Sequence, residues 1–293
     1  MTLATDTIEL PRRDSRRVRI RKYCRRHPTV PFGLGVLGVM IIISILGPYF
    51  TVDPLALSPF KRLKPPSGEF LFGTDMYGRE VFARTLAGGR ISLAVGISVA
   101  LVSTVVGLAI GIVSGYVRAL DAVVMRVMDG LMAIPGVLLA IALISLTSAS
   151  ISNVIIAITI PEVPRVVRLV RAVVLSIREQ PYIQAAVSVG MPLPRILWKH
   201  VLPNTLAPLI VQATYICASA VIVEAILSFL GAGTPPEIPS WGNIMAEGRT
   251  YFQITPWIIL FPGLFLAITV LAVNVLGDGL RDSLDPRIAR RMR

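Results

Sequence analysis

Long stretches without a charged residue alternate along the chain with short basic or proline-rich segments. Val30–Phe50 carries no charge, nor does Ile91–Val117. A third uncharged run follows Asp129 and lasts to Ile160. That is too long for one crossing, since a helix needs about 20 apolar residues to span roughly 30 Å of hydrocarbon. The polar cluster Thr147, Ser148, Ser150, Ser152 and Asn153 divides it in two. Leu206–Leu230 holds a single charge, Glu224, and Ile254–Leu276 holds none. The pattern predicts an all-α membrane protein with six transmembrane helices, at residues 30–50, 91–117, 122–146, 151–174, 206–230 and 254–276. Helices are expected because lipid offers no partner to backbone N–H and C=O groups, and the alternation of a barrel strand is absent. The fourth span contains Pro161 and Pro164 among Glu162, Arg165 and Arg168, so a kink and an emergence into the cytoplasm are expected there.

Composition agrees with a lipid environment. Hydrophobic residues make up 54% and charged residues 16% of the 293 positions, against about 25% charged in ordinary soluble domains. The net charge of +12 would point to nucleic acid on a soluble domain. Here the basic residues collect at the termini and in loops, which fits retention on the cytoplasmic side and excludes a nucleic-acid partner from the expectations. With the N-terminus inside, the tail 1–29, the turn Arg118–Asp121, the loop 175–204 and the tail 277–293 are cytoplasmic, and each carries at least one Arg or Lys. Both termini are then cytoplasmic, with external loops at 51–90 and 231–253. Nine Arg/Lys between Arg12 and Arg26 precede the first apolar run. That run exceeds the about 7–15 residues of a signal-peptide core, so the first helix is expected to stay. Cys24 and Cys217 have neither metal-ligand spacing nor a plausible disulfide geometry.

Smaller features carry narrower expectations. Gly107, Gly111 and Gly115 share one helix face, where another backbone is expected to approach. Asp129 follows Arg126 by three residues, which predicts a local pair. Arg165, Arg168 and Arg171 are expected to anchor to headgroups or a partner subunit rather than to bind substrate. Trp241 and Trp257 fit an interfacial aromatic belt. Asn153, Gln212, Glu224 and Asn274 are the polar groups in or beside the spans that could line a path or serve structural hydrogen bonds; an ionisable group at the depth of Glu224 should face protein or water. The segment Thr51–Arg90, with Asp53-Pro54, Pro59, Pro65-Pro66 and Gly68, should be irregular and cap the outer mouth.

The longest inside loop has a readable shape. Pro181 suits a helix start, because its missing N–H would be unpaired there anyway. Tyr182, Ile183, Gln184, Ala185, Ala186, Ser188 and Val189 follow as a short helix. Gly190 should end it by accepting a positive φ. Pro192 and Pro194 prevent continuation, and a second helix over Arg195–His200 should lead through Leu202 and Pro203 back to the membrane. The product is a helical hairpin presented to the cytoplasm.

At these residues the chain resembles the permease subunits of binding-protein-dependent ABC importers. Their loop carries Glu-Ala-Ala, a glycine after three residues, and a Leu-Pro further on. Gln184-Ala185-Ala186, Gly190 and Leu202-Pro203 match in register, with Gln184 in place of Glu and His200 in place of Ile. Phe72–Arg79 continuing through Arg84 to Leu93, Leu227–Gly233 with Pro235, Pro236, Pro239 and Trp241-Gly242, and Asn274–Arg287 resemble the dipeptide and oligopeptide permeases of the C-subunit type. The resemblance covers most of the chain beyond about residue 30.

It implies a type I ABC importer permease fold in the inner membrane of a bacterium. It also implies a homologous second permease subunit, two ABC ATPase domains and an extracytoplasmic substrate-binding protein as partners, with membrane lipid around them. No phosphate-binding Gly-x4-Gly-Lys-Ser/Thr loop occurs in the sequence. ATP and Mg would therefore be used by the ATPase partners, with no cofactor, metal or catalytic residue in this chain. Peptides are the family's commonest cargo, and nickel complexes, glutathione or oligosaccharides are alternatives. An ion-coupled secondary transporter would need inverted repeats and midplane ligands, which the sequence lacks; a membrane enzyme would need a catalytic partner for His27 or His200.

Overall fold

The computed structural model describes residues 23–235 and 237–284. Most of the basic N-terminal tail, Pro236 and the tail from 285 onward, including the last of the family-like ending, lie outside the described residues.

Among the described residues ten α-helices follow in order: α1 (Thr29–Leu46), α2 (Val81–Tyr116), α3 (Arg118–Ala133), α4 (Gly136–Ser145), α5 (Ile151–Arg178), α6 (Pro181–Ser188), α7 (Leu193–Ile196), α8 (Leu202–Phe229), α9 (Trp241–Gly248) and α10 (Trp257–Leu284). Among the described residues β-pairing amounts to one isolated bridge, Thr74 with Glu80. Among the described residues four helical stretches are long and apolar enough to cross a membrane, and the bent pair of α3 with α4 makes a fifth when taken as one span. Helix α5 is 28 residues long, but its charges keep it out of that group.

The third predicted span is broken. Helices α3 and α4 meet at 88° across Ile134-Pro135. Ile134 is extended, at φ −93° and ψ 129°, the conformation that a following proline imposes. By contrast α5 runs as one helix through Pro161 and Pro164. Helix α2 begins ten residues earlier than hydropathy predicts, at Val81. Its 36 residues reach about 54 Å at 1.5 Å per residue, well beyond the roughly 30 Å of a bilayer core. That surplus places Arg84 and Arg90 on helix rather than on an irregular loop.

Packing rests on close backbone approach. Gly107, Gly111 and Gly115 of α2 face Val166, Val170 and Val174 of α5, step for step at a spacing of four residues. A Cβ at Gly111 would stand 2.7 Å from Val170 Cβ, and one at Gly115 would stand 2.8 Å from Val174 Cβ. Valine knobs therefore fill the notches that glycine leaves, which brings the two helix axes together. The main core joins α2, α4, α5 and α8 through residues such as Val95, Ala140, Ile158 and Ile216. Helix α1 packs on α10 and α2.

The segment 231–253 is more than a surface connection. Helix α9 inside it is embedded between α2, α8 and α10. Trp241 is fully buried, and its indole N–H donates to the Thr85 carbonyl at 2.9 Å. A Cβ at Gly242 would lie 2.7 Å from Ala225 Cα. Trp241 is thus a core residue rather than part of an aromatic belt. The neighbouring Trp257 is half-buried and donates to the Thr74 carbonyl at 3.3 Å.

Candidate functional site

At the end of the bundle opposite α9, the chain leaves α5 and forms the expected hairpin. Pro181 is the first residue of α6. The helix closes with paired bonds: Gly190 N–H donates to the Val187 carbonyl at 2.9 Å, and Met191 N–H donates to Ala186 at 3.0 Å. Gly190 adopts φ +80°, as this double-bonded terminus requires. Ile183 and Ile196 are each 1% exposed and sink into the core beside Ile177 and Val201. The hairpin is thereby bolted to the long helices through one isoleucine on each arm.

Its outer surface is open. Tyr182, Gln184, Ala185, Ser188, Val189 and Gly190 are exposed, and Ala186 is half-buried. Val189 is 87% and Trp198 75% exposed, an apolar surface of the kind that marks an interaction site. The Tyr182 ring lies 5.9 Å from the His200 ring, linking the two arms. The return arm differs from the expected separate helix over Arg195–His200. Helix α7 passes through a π turn, Leu197–Val201, directly into α8. Leu202 N–H donates to Leu197, five residues back. Pro203 has no N–H to donate, and the widened turn carries the chain into α8 without a break. Leu202 is half-buried and Pro203 exposed.

The polar groups of the spans separate into different environments. Asn153 caps locally: its N–H bonds Ser150 Oγ at 3.2 Å, and its amide donates to the Ser148 carbonyl at 2.7 Å. Glu224 is fully buried. It accepts from Ser228 Oγ at 2.8 Å and Ser92 Oγ at 3.1 Å, while Ser92 Oγ accepts from Trp241 N–H. This knot ties α2, α8 and α9 together. Gln212 lines a cavity of about 420 Å³ between α5, α8 and α10. Asn274 lies half-buried on α10, one turn before Asp278.

The charges of α5 face other parts of this same chain. Arg171 forms a two-armed pair with Asp121 at 2.5 Å. Arg168 reaches Asp129 at 2.6 Å, so Asp129 pairs across to α5 rather than with Arg126. Arg165 pairs with Glu162, which also accepts from Ser219 of α8 at 3.4 Å. All three arginines thus have acidic partners within the chain, two of them aspartates of α3, which packs against α5. The i, i+3 spacing of Glu162 and Arg165 within an apolar helix was the sequence signal for this pair.

A second cluster, which no sequence pattern revealed, sits at the α9 end. Asp75, 1% exposed, and Arg84, 0% exposed, pair at 2.8 Å. Arg79 bonds Asp75 at 2.6 Å and also reaches Glu247. Two acids and two arginines balance in charge, so burial is compensated. Beside them, partial burial pushes the Glu80 carboxyl above its ordinary range.

The family described as "Binding-protein-dependent transport system inner membrane component" matches residues 103–290. A probable peptide ABC transporter permease protein, y4tQ of Sinorhizobium fredii (strain NBRC 101917 / NGR234), is 56% identical over 270 residues, covering 92% of this chain and 93% of the relative. The dipeptide transport system permease protein DppC of Alkalihalophilus pseudofirmus is 40% identical, covering 91% of this chain and 88% of the relative. Among solved structures, a chain of the MetNI methionine ABC transporter in an inward-facing conformation aligns with TM-score 0.56 at 23% identity, covering 69% of this chain and 96% of that one. That likeness is one of fold.

Proposed function

We propose that this chain, which belongs to the family of binding-protein-dependent transport system inner membrane components, is the permease subunit of an ATP-driven peptide importer in a bacterial inner membrane. The names of its relatives, a probable peptide permease at 56% identity and a dipeptide permease at 40%, support peptides as the cargo. The topology of this reading is six spans with both termini in the cytoplasm; taking α5 and the bent α3–α4 pair as one span each supports it. The partners are a homologous second permease, two ABC ATPase domains that use ATP and Mg, and an extracytoplasmic binding protein.

The observation that carries the mechanism is the hairpin of α6 and α7. It is short, doubly capped at Gly190 and bolted by Ile183 and Ile196, so it moves as a rigid body with α5 and α8. An ATPase whose two states contact it differently shifts the bundle between outward and inward openings, since only differential contact moves such an equilibrium. The contact face consists of Tyr182, Gln184, Ala185, Ser188 and Val189. In a complex reconstituted into vesicles, Ala185→Arg is expected to abolish ATP-dependent peptide uptake while membrane insertion persists. Normal uptake by that variant rejects the docking role. Ion-gradient-driven uptake without ATP rejects the importer reading altogether.

A further inference from the structure

Helices α5, α8 and α10 leave a cavity of about 420 Å³ between them, with Leu169, Pro208, Gln212, Tyr215 and Arg281 on its walls. Gln212, Tyr215 and Ser219 lie at i, i+3 and i+7 and so share one face of α8. Glu162, Arg165 and Leu169 have the same spacing on α5. Ser219 Oγ donates to Glu162 at 3.4 Å, and Leu169 lines the cavity beside Gln212 and Tyr215. The two faces therefore border one groove. Its polar stripe runs about 10 Å along α8 from Ser219 to Gln212, at 1.5 Å per residue.

This stripe lies at membrane depth. Arg165 is about 21 Å along the α5 axis from Ile151, within a hydrocarbon layer of roughly 30 Å. Its side chain is nonetheless 55% exposed, while that of Glu162 is 7% exposed. An arginine so placed must face water or protein, because contact with hydrocarbon is costly. Glu162 engages Nη1 of Arg165, through both carboxylate oxygens at 3.2 Å. The remaining N–H groups of the guanidinium fork have no partner among the described residues. A fork with one edge held and the other open is suited to a second carboxylate. Arg281 stands at the far end of the cavity, where Tyr215 donates to Asp278.

We propose that this groove is the inward half of the solute passage, and that the open edge of Arg165 receives the carboxylate of a zwitterionic solute, with Arg281 as a second contact nearer the exit. The proposal rests on the importer reading above and deepens it. Glu162 holds the guanidinium in place and competes with the solute for it, so the carboxylate is bound transiently and released. Acyl chains are poor occupants of this groove, because they would leave the Gln212 amide without a hydrogen-bond partner.

The test uses the whole complex in vesicles, with dialanine as the probe. Arg165→Gln is expected to reduce uptake by at least about ten-fold, the loss of one charge-assisted hydrogen bond. ATP hydrolysis stimulated by the loaded binding protein should stay within about two-fold of the parent, because the hairpin is untouched. Arg165→Lys should restore part of the uptake. Ser219→Cys, with Cys24 and Cys217 replaced by serine, should react with a membrane-impermeant thiosulfonate, and dialanine should slow that reaction. Undiminished uptake by Arg165→Gln, or a Ser219→Cys thiol that fails to react because lipid or protein covers it, overturns the proposal while a transporting parent leaves the importer reading intact. A parent complex with neither stimulated ATP hydrolysis nor uptake removes both.

Discussion

Arg84 and Glu247, 163 residues apart in sequence, meet through Nη1 to Oε2 at 2.5 Å and Nη2 to Oε1 at 3.0 Å. The parallel pair fixes the first turn of α2 to the short helix α9. Asp75 accepts from the same Nη1, at 2.8 Å. Removing Glu247 leaves Arg79 and Arg84 to share Asp75 alone, with one buried positive charge in excess. Glu247→Ala is expected to destabilise the subunit by about 3–5 kcal/mol, the usual cost of breaking a buried pair from one side. Thermal unfolding in detergent checks this; an unchanged midpoint would refute it.

The glycine face of α2 predicts a graded response to size. Gly111→Ala places a methyl 2.7 Å from Val170 Cβ and should cost about 1–3 kcal/mol through overpacking. Gly111→Leu should separate α2 from α5 and abolish a folded subunit. Val170→Ala in the Gly111→Ala background should recover much of the loss, a coupling that a double-mutant cycle in detergent measures.

Gly190 supplies a different prediction, one about coupling. Its φ of +80° costs an L-residue about 1–2 kcal/mol, and a branched side chain more. Gly190→Val is expected to loosen the α6 terminus and lower uptake per ATP hydrolysed. Gly190→Asn should be milder, since asparagine tolerates this region. Parallel assays of uptake and ATP hydrolysis separate that result from simple loss of protein.

Glu224 should answer to hydrogen-bonding capacity. Glu224→Gln keeps an acceptor for Ser92 or Ser228 and should retain assembly. Glu224→Leu leaves both hydroxyls without their acceptor and is expected to destabilise by about 1–3 kcal/mol. Equal thermal midpoints for the two variants would contradict the hydrogen-bonded knot.

Much of the candidate coupling surface was legible in the residues themselves. Pro181, Gly190 and the prolines at 192 and 194 act on the backbone within a few positions, so the start and end of α6 could be read before any contact was known. The glycine spacing at 107, 111 and 115 likewise announced a close approach, though not that valines of α5 would fill it. The break at Ile134-Pro135 is equally local, yet hydropathy alone treats residues 122–146 as continuous. Trp241 misled for the opposite reason: an indole beside an apolar helix resembles a belt residue until the carbonyl of Thr85 is found next to it.

The sequence by itself determined that this chain is helical and lipid-embedded, and where its hairpin turns, since hydropathy and capping act over contiguous residues. Tertiary structure alone decided which charges meet. Asp129 chose Arg168 over Arg126, Arg84 chose Glu247, and Arg165 was left half open over a groove. Those outcomes depend on which helix faces lie side by side, and close packing between distant segments sets that rather than any local preference.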